Sequence, residues 1–501
     1  MAYDLMKLQN GSDIRGVAME GVPGENVNLD EETAGRIAGA FMYWLSQKVG
    51  KNPVMLKVCI GHDSRLTADT LSTGLKKGIT AFGGECYDAG LASTPAMFMS
   101  TVLPHFDFDG AIMITASHLP YNRNGFKFFT AEGGLNKEDI TEILRLANRY
   151  AFIGEYYEDR PVNVMQMYAA YLRQMIAEGL KTVPGYLKGM HIVVDAGNGA
   201  GGFFAKEVLE PMGADISGSQ FLEPDGTFPN HQPNPENKDA MEAISRAVVE
   251  NNADLGIIFD TDVDRSAAAG PDGTIIARNE IIALAAALAA EDYPGGTVVT
   301  DSTTSTELHE FLEGKLGLKH LRFKRGYRNV INKAQELNAE GESAFLAIET
   351  SGHAAYSDNY FLDDGAFLAV QIVINAAQLK AQGKDITALL DGLEAPAESW
   401  EIRFDLDTED YKALGSQILE DMVSWVEETD GFELEEPNYE GVRANFDIDG
   451  CKGWFLLRQS LHDPVMPLNI ESSDKGGINK VSPMIAKFLR NYEGVKMPQK
   501  K

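Results

Sequence analysis

The sequence predicts an α/β fold in which three related units with mixed sheets are followed by a smaller α+β unit. A buried strand, an aspartate near its end and a small-residue turn into a helix recur three times along the 501 residues. These strands are continuous apolar runs, which are typical of sheets covered on both faces. After about Pro396, β-like runs (residues 400–404 and 453–458) alternate with helical patterns (residues 411–426 and 482–492), which favours an α+β domain.

The three repeats share one order of elements. The first reaches a turn at residues 61–65 and then a helix near Thr67, a small polar residue of the kind that caps helices. The second strand covers residues 191–195 and the third residues 297–301, and each is followed by small residues. We therefore expect each repeat to form a strand–turn–helix unit.

Size and composition indicate a globular protein with several domains. The hydrophobic content of 44% and the charged content of 24% are ordinary for this class. No stretch approaches the roughly 18 consecutive apolar residues that span a bilayer, and the amino terminus does not resemble a secretory signal. The three cysteines lack metal-ligand spacing and fit a reducing compartment. We expect a cytoplasmic protein.

The charge balance restricts the partners. A formal net charge of −30 disfavours nucleic acid and anionic membranes, so neither is expected as a partner. An anionic small-molecule substrate would need a locally basic pocket. The sequence leaves the oligomeric state open between monomer and dimer.

Three carboxylates at alternate positions follow an apolar run at residues 255–259. They are Asp260, Asp262 and Asp264, and Arg265 comes next. Carboxylates at the end of a buried strand repel one another and lose solvation, so a hard divalent cation such as Mg²⁺ would stabilise them. The pattern therefore suggests a metal site.

Two other interpretations of the acidic cluster stay open. It could be a solvated acidic loop, since the chain has 74 acidic residues. It could also bind calcium, although a calcium loop would have glycine after the third acid, where this sequence has Arg265.

A candidate nucleophile follows the apolar run at residues 110–114. Ser117 lies beside His118, and Lys127 comes ten residues later. A serine needs a neighbouring base or cation to become reactive, and these residues could supply one. A serine and histidine after a strand can equally be a helix-capping pair.

Five segments, in order, resemble the motifs of the α-D-phosphohexomutase superfamily. Residues 115–127 are similar to its active-serine loop, T-A-S-H-N-P followed by N-G-x-K. The other four are residues 12–16 (D-x-R-G), 260–265 (D-G-D-x-D-R), 349–353 (G-E-x-S-G-H) and 458–464 (R-x-S-x-T-E-P). The resemblance implies four domains around a central cleft, three α/β and one α+β, with predicted bounds 1–162, 163–278, 279–395 and 396–501.

The resemblance also implies a reaction. Ser117 would carry a phosphoryl group between the two ends of a sugar phosphate, through a sugar bisphosphate that also serves as activator. One Mg²⁺ ion per active site would be held by Ser117, Asp260, Asp262 and Asp264. By resemblance, His118 would orient the serine loop, and Lys127 and Arg15 would control protons and charge at the transferring oxygen. Arg265 would bind the phosphoryl group during transfer.

Further residues are expected to bind the substrate. By resemblance, they are Glu349 and Ser351 for sugar hydroxyls, His353 as a further polar contact, Lys324 and Gly326 as a K-x-G loop, and Arg458 and Ser460 for the distal phosphate. We call residues 349–353 the predicted sugar loop and the segment that begins at residue 458 the predicted phosphate loop. The sequence departs from the family pattern in or near the phosphate loop, at Leu461, His462, Asp463 and Pro467, and before the sugar loop, at Ile348.

The sequence thus predicts an enzyme, a phosphohexomutase that interconverts the 6-phosphate and 1-phosphate of mannose or glucose. A phosphoglucosamine mutase is the near alternative, but its sugar loop usually has glutamine where this chain has Thr350. A sugar-phosphate-binding regulator without turnover and a phosphatase that uses the same metal site are two other possibilities.

Overall fold

The computed structural model describes residues 4–151, 154, 157–158, 160–183, 185–460 and 463–497. The chain forms two compact units. Unit 1 is Met1–Leu288 with Ser351–Leu389, and unit 2 is Ala289–Thr350 with Leu390–Lys501. This division does not test the four predicted domain bounds, which stay predictions.

Helices and strands alternate through most of the described ranges. The α-helices are α1 (Glu31–Val49), α2 (Ala68–Thr80), α3 (Thr94–Val102), α4 (Lys137–Arg149), α5 (Val164–Gly179), α6 (Lys238–Asn251), α7 (Asn279–Ala289), α8 (Thr306–Glu310), α9 (Tyr327–Ala339), α10 (Gly365–Lys380), α11 (Tyr411–Glu428) and α12 (Gly477–Leu489). None of the helices in the part of the chain that the structure describes is long and apolar enough to cross a membrane.

The strands are short to medium in length. They are β1 (Gln9–Asn10), β2 (Asp13–Val17), β3 (Lys57–His62), β4 (Glu85–Leu91), β5 (Gly110–Ile114), β6 (Arg123–Thr130), β7 (Gly133–Gly134), β8 (Ile192–Asp195), β9 (Leu255–Phe259), β10 (Ser266–Ala269), β11 (Ile275–Ile276), β12 (Thr297–Asp301), β13 (Lys319–Phe323), β14 (Ala344–Ile348), β15 (Ala354–Tyr356), β16 (Leu362–Asp363), β17 (Glu398–Leu406), β18 (Phe432–Leu434), β19 (Val442–Ile448), β20 (Cys451–Leu457), β21 (Val465–Ser472) and β22 (Val495–Lys496).

The first sheet of unit 1 is mixed. Its strand order is β1-β2-β6-β5-β3-β4, and β7 pairs with β6. Strand β3 is parallel to β4 and β5, whereas β6 is antiparallel to β5 and β2. The core on one face joins Phe41 and Leu45 of α1 to Ile112, Phe126 and Phe128 of the sheet. This packing places the segment between β5 and β6 at the end of a rigid sheet.

The second sheet of unit 1 has the order β11-β10-β9-β8. Strands β8 and β9 are parallel, and β9 turns back into antiparallel β10 with Phe259 opposite Ser266. Val193 and Ile258 pack against Ile244 and Val248 of α6. The six residues between Phe259 and Ser266 are therefore a tight connection fixed at both ends.

Unit 2 contains three parallel strands and an antiparallel sheet. Strand β12 is parallel to both β13 and β14. The residues after Pro396 form the sheet β18-β19-β20-β21-β17-β22, whose neighbouring strands are antiparallel and whose core includes Met422 of α11 and Ile485 of α12. The predicted α/β class with mixed sheets and a terminal α+β domain is confirmed.

The predicted strand–turn–helix order is less regular than expected. The Thr67 hydroxyl does not cap α2 and accepts a hydrogen bond from Asn124 at 2.9 Å. After β8 the chain enters a π-helical segment, Phe204–Leu209, and after α8 a second one, Phe311–Lys315. The recurring strand and small-residue turn predicted a helix at these places but could not reveal the wider turns.

Gly125 lets strands β2 and β6 approach closely. A Cβ atom at this position would lie 2.0 Å from the carbonyl oxygen of Ile14. We expect Gly125→Ala to lower the midpoint of urea unfolding, because the strands would have to separate at a cost of about 1–3 kcal/mol. Gly314→Ala is the control, since a Cβ there meets nothing within 4 Å. Equal midpoints for the two variants would contradict the prediction.

Candidate active site

Asp260, Asp262 and Asp264 lie together in the connection between β9 and β10. All three are fully buried, and one carboxylate oxygen of each lies within 4.8 Å of the others. The threonine at the start of α3 fixes the middle carboxylate, because the Thr94 hydroxyl donates to Asp262 Oδ2 at 2.5 Å. The three aspartates that alternate in the sequence therefore form one cluster, which we call the acidic cluster.

The carboxylates of the acidic cluster oppose one another's ionisation. Burial and the charges of Asp264 and Asp262 raise the pKa of Asp260 well above its ordinary value. Burial and Asp264 raise the pKa of Asp262 to about 6. Burial also acts to raise the pKa of Asp264, but the neighbouring Lys127, His353 and Arg265 outweigh burial and hold this pKa below its ordinary value.

The acidic cluster has the properties of a divalent-metal site. Among the described residues, none donates a hydrogen bond to Asp262 Oδ1 or Asp264 Oδ1, although both atoms are buried. A buried carboxylate oxygen without a donor is costly unless a cation binds it. The cluster can therefore hold a hard cation that prefers oxygen ligands.

Ser117 lies against the acidic cluster, 143 positions away from Asp260 in the sequence. Its hydroxyl donates to Asp260 Oδ2 at 2.8 Å and lies 3.3 Å from His118 Nδ1. Burial, followed by the charge of Arg265, lowers the pKa of His118 to about 2, so its ring is neutral. A neutral imidazole can accept or donate one hydrogen bond at this position.

The backbone at Ser117 is unusual for a non-glycine residue. Its φ is 49°, in the left-handed region, and its N–H donates to the Thr115 hydroxyl at 2.9 Å. Such a conformation persists only where surrounding contacts determine it, and it is common at functional sites. The segment that includes residues 115–123, called the serine loop below, is therefore held in a specific shape.

Arg65 holds the serine loop, a role that no sequence motif indicated. Its guanidinium donates to the carbonyl oxygens of Ser117 (2.5 Å), Leu119 (2.6 Å), Pro120 (2.8 Å) and Arg123 (2.8 Å). Arg65 itself is buried, with its Nε 3.4 Å from Asp63 Oδ2. The only sequence signal was its place in the turn after the first repeat strand.

Lys127 and Arg15 lie on the neighbouring strands β6 and β2. Lys127 Nζ is 3.0 Å from Asp264 Oδ2 and 3.3 Å from Asp13 Oδ2. Arg15 donates to the same Asp13 oxygen at 2.8 Å and also to the Thr115 carbonyl. Asp13 therefore links two predicted catalytic residues, a role that its spacing in the sequence did not indicate.

Arg265 and His353 lie beside the acidic cluster in unit 1. Their backbones form an isolated antiparallel bridge. Arg265 Nε lies 3.9 Å from Asp260 Oδ2, and His353 Nδ1 lies 2.5 Å from Asp363 Oδ2. Ser351 is also buried, and its hydroxyl makes no hydrogen bond with a described residue.

The other predicted substrate-binding residues lie in unit 2. The Gly326 N–H donates to Glu349 Oε1 at 2.7 Å, and Gly326 has a left-handed φ of 109° at the start of α9. Lys324 is exposed, two positions before this glycine. The structure therefore joins the predicted K-x-G segment directly to the predicted sugar loop.

Thr350 belongs to this loop, and its side chain binds Asp301. Its N–H and hydroxyl both donate to Asp301 Oδ2, at 2.6 and 2.8 Å. Thr303 donates to the other oxygen of Asp301 with its N–H at 2.8 Å and its hydroxyl at 2.5 Å. Packing of the loop thus explains Thr350, the residue whose identity disfavoured a phosphoglucosamine mutase.

Arg458 and Ser460 follow strand β20. Arg458 is buried, and burial and the nearby charge of Arg325 lower its pKa. The Ser460 hydroxyl accepts a hydrogen bond from the Asp463 N–H at 3.2 Å. Of the atypical residues, Leu461 and His462 lie outside the described residues, while the Pro467 carbonyl accepts from the Arg458 N–H at 3.1 Å and Ile348 ends buried β14.

Three family models match the chain. Their descriptions are Phosphoglucomutase/phosphomannomutase, alpha/beta/alpha domains I, II and III, and they match residues 6–153, 169–273 and 277–395. The phosphomannomutase/phosphoglucomutase of Pseudomonas aeruginosa is 27% identical over 482 residues, covering 95% of this chain and 94% of the relative. The phosphoglucomutase of Neisseria gonorrhoeae is 25% identical over 431 residues, covering 85% and 86%.

A solved structure has a similar fold. It is a phosphoglucomutase/phosphomannomutase family protein from Burkholderia thailandensis, with a TM-score of 0.78 and 24% sequence identity. The similarity covers 98% of this chain and 99% of that chain.

We expect Arg65→Lys to loosen the serine loop, because one ammonium group cannot reach the four carbonyl oxygens that Arg65 binds. Hydrogen–deuterium exchange of residues 117–123 should rise in the variant. Arg36→Lys is a matched control, since Arg36 also binds backbone carbonyls, at Ala147 and Asn148. Unchanged exchange in the serine loop of Arg65→Lys would refute the role given to Arg65.

Proposed function

The chain belongs to the phosphoglucomutase/phosphomannomutase family, whose domain models match most of its length, and from this we propose that it is a phosphohexomutase. It interconverts the 6-phosphate and 1-phosphate of mannose, glucose or both, as an isomerase acting by phosphoryl transfer. The observation that carries the proposal is the 2.8 Å hydrogen bond from the Ser117 hydroxyl to Asp260 in the buried acidic cluster. A single hydroxyl is thereby directed at a cluster of carboxylates where a cation could balance the charge of a phosphoryl group.

Mg²⁺ is the proposed metal, one ion per active site, with Ser117, Asp260, Asp262 and Asp264 as ligands. The proposal is supported by the oxygen-only donor set and by the two buried carboxylate oxygens that have no donor among the described residues. When bound, this ion would balance negative charge on the phosphoryl oxygens as they transfer.

The reaction we propose is a double transfer in which Ser117 is the carrier. The phosphoserine O–P bond breaks, a sugar hydroxyl oxygen forms the new O–P bond, and Ser117 regains a hydroxyl. The sugar bisphosphate then returns its other phosphoryl group to Ser117, which also explains why a bisphosphate would activate an unphosphorylated enzyme. No water enters this cycle, so the sugar phosphates are interconverted without release of inorganic phosphate.

Residues of unit 1 serve this transfer. The Lys127 amine, 3.0 Å from Asp264, manages the proton of the sugar hydroxyl, and Arg15 positions that lysine through their shared partner Asp13. Arg265 binds the phosphoryl group as a planar donor. His118 orients the serine hydroxyl, as its Nδ1 lies within 3.3 Å and its ring is neutral.

Recognition of the phosphosugar is the proposed task of a second set of residues. Glu349 and Ser351 accept or donate hydrogen bonds to sugar hydroxyls, and His353 is a further polar contact. Lys324 and Gly326 form the K-x-G segment, and Arg458 and Ser460 bind the phosphate that is not reacting. The buried Arg458 Nε has no partner among the described residues, which suits an anion-binding role.

We expect Ser117→Ala to lose nearly all mutase activity, because no other group can replace the carrier hydroxyl. The variant should also take up no label from a hexose bisphosphate with a radioactive phosphoryl group, while the parent is labelled on Ser117. Ser46→Ala, a buried serine on α1, is the control and should keep both activity and label. Turnover by Ser117→Ala would rule out the carrier role.

Comparison of kcat/KM for the 1-phosphates of glucose, mannose and glucosamine tests the substrate class. With magnesium and a catalytic amount of bisphosphate, we expect the glucose or mannose compound to exceed the glucosamine compound by about tenfold or more, as for sites that read substrate polar groups. A preference for glucosamine 1-phosphate would favour the phosphoglucosamine mutase. Phosphate release in proportion to turnover would indicate a phosphatase, and absence of both turnover and label would indicate a binding protein.

A further inference from the structure

Glu440 lies in the loop between strands β18 and β19, and two groups from another part of unit 2 bind its carboxylate. The Ser302 hydroxyl donates to Glu440 Oε2, and the Arg325 N–H donates to the same oxygen at 3.2 Å. These donors lie 138 and 115 positions away in the sequence. Glu440 therefore joins its loop to the K-x-G segment, although none of the five family segments includes this glutamate.

Two consecutive backbone N–H groups of the K-x-G segment are each bound by a carboxylate. The Arg325 N–H donates to Glu440 at 3.2 Å, and the Gly326 N–H donates to Glu349 Oε1 at 2.7 Å. Hydrogen bonds to a charged acceptor are stronger than those between neutral groups. The backbone of the segment is therefore fixed by a predicted sugar-binding residue and, one position earlier, by Glu440.

The loop that carries Glu440 is ordered by its own side chains. The Asn438 amide accepts the Glu440 N–H at 3.3 Å and donates to the Gly441 carbonyl at 2.9 Å. The ring of Tyr439 packs against that of Phe323, the last residue of β13, with centroids 4.9 Å apart. The loop thus contacts the strand that leads into the K-x-G segment as well as the segment itself.

The same loop lies against the start of the predicted phosphate loop. Gly441 has a left-handed φ of 59°, and a Cβ atom there would lie 2.2 Å from the Leu457 carbonyl oxygen and 2.8 Å from Arg458 Cβ. The two backbones approach this closely because glycine has no side chain. Burial and the charge of Arg325 lower the pKa of Arg458, while the nearby Glu440 carboxylate opposes this shift. One loop therefore contacts both predicted binding segments.

We propose that Glu440 is a positioning residue for recognition of the phosphosugar, because it fixes the K-x-G segment relative to Arg458 of the predicted phosphate loop. The inference rests on the proposed mutase function and adds to it a residue that acts through others. Both donors to Glu440 are uncharged, a backbone N–H and a serine hydroxyl. The requirement at this position is therefore an acceptor oxygen, which an amide can also supply.

The test compares the parent with Glu440→Ala, which removes the acceptor, and Glu440→Gln, which keeps one. For the better substrate of glucose and mannose 1-phosphate, we expect Glu440→Ala to raise KM about tenfold and leave kcat within about twofold. The KM of Glu440→Gln should stay within about twofold of the parent value. A purely structural role would instead reduce the amount of folded, active enzyme and leave KM unchanged.

A second readout does not depend on activity. Hydrogen–deuterium exchange of the K-x-G segment should rise in Glu440→Ala and return to the parent level in Glu440→Gln. Ser302→Ala removes one donor to Glu440 and leaves the K-x-G backbone untouched. It should raise KM about two- to threefold in the parent and cause no further rise in the Glu440→Ala background, since the two residues act as one unit.

Glu398→Ala is the matched control within unit 2. Glu398 is also a half-buried glutamate that accepts a backbone N–H from a distant residue, Ile478, at 3.1 Å. This bond joins β17 to the start of α12 and involves neither predicted binding segment. The variant should therefore keep the parent KM and the parent exchange of the K-x-G segment.

Three outcomes would overturn the inference for a parent that turns over. They are a KM of folded Glu440→Ala within about twofold of the parent, a KM of Glu440→Gln as high as that of Glu440→Ala, and unchanged exchange of the K-x-G segment in Glu440→Ala. If Glu440→Ala does not fold, Ser302→Ala decides, and a KM equal to that of the parent refutes the role. A parent with neither turnover nor label on Ser117 would instead overturn the proposed function and, with it, the role in recognition.

Discussion

Mutual repulsion among three buried carboxylates is the constraint on which the site depends. Asp260, Asp262 and Asp264 are fully buried within one six-residue connection, where burial and the charge of Asp264 raise the pKa of both Asp260 and Asp262. Lys127 and the nearby positive groups compensate for part of this charge at Asp264. A bound cation would balance the negative charge that remains on these carboxylates. The Ser117 hydroxyl is directed at one of them, Asp260.

A second requirement is a serine loop that cannot relax. The backbone of Ser117 is left-handed, a strained conformation for a serine, so an unrestrained loop would relax to another conformation. Arg65 prevents this by binding four carbonyl oxygens from one buried guanidinium. Asp13 does comparable work for Lys127 and Arg15. The predicted reactive groups are thus held by residues to which no chemical step is assigned, as preorganised sites require.

The predicted sugar loop shows the same separation of tasks within three consecutive residues. Glu349 binds the Gly326 backbone, and Thr350 is committed to Asp301. Ser351, by contrast, has a buried hydroxyl without a partner among the described residues. Buried hydroxyl groups without partners are costly, so we expect this one to bind a ligand or an ordered water molecule. The identity of Thr350 therefore reflects packing, and it says little about which sugar is bound.

The sequence by itself determined the α/β class, the acidic cluster, the serine and the five family segments, because strand periodicity, alternating acids and motif order are all local patterns. It could not indicate the positioning roles of Arg65 and Asp13, since an ordinary charged residue becomes a positioning residue only when folding brings a distant partner to it. Arg65 meets carbonyls more than 50 positions away, and Asp13 meets Lys127 on another strand. The exact helix types after β8 and α8 were decided by tertiary packing too. Long-range contacts of this kind exist only in the folded chain, where burial turns a weak polar attraction in water into a strong constraint.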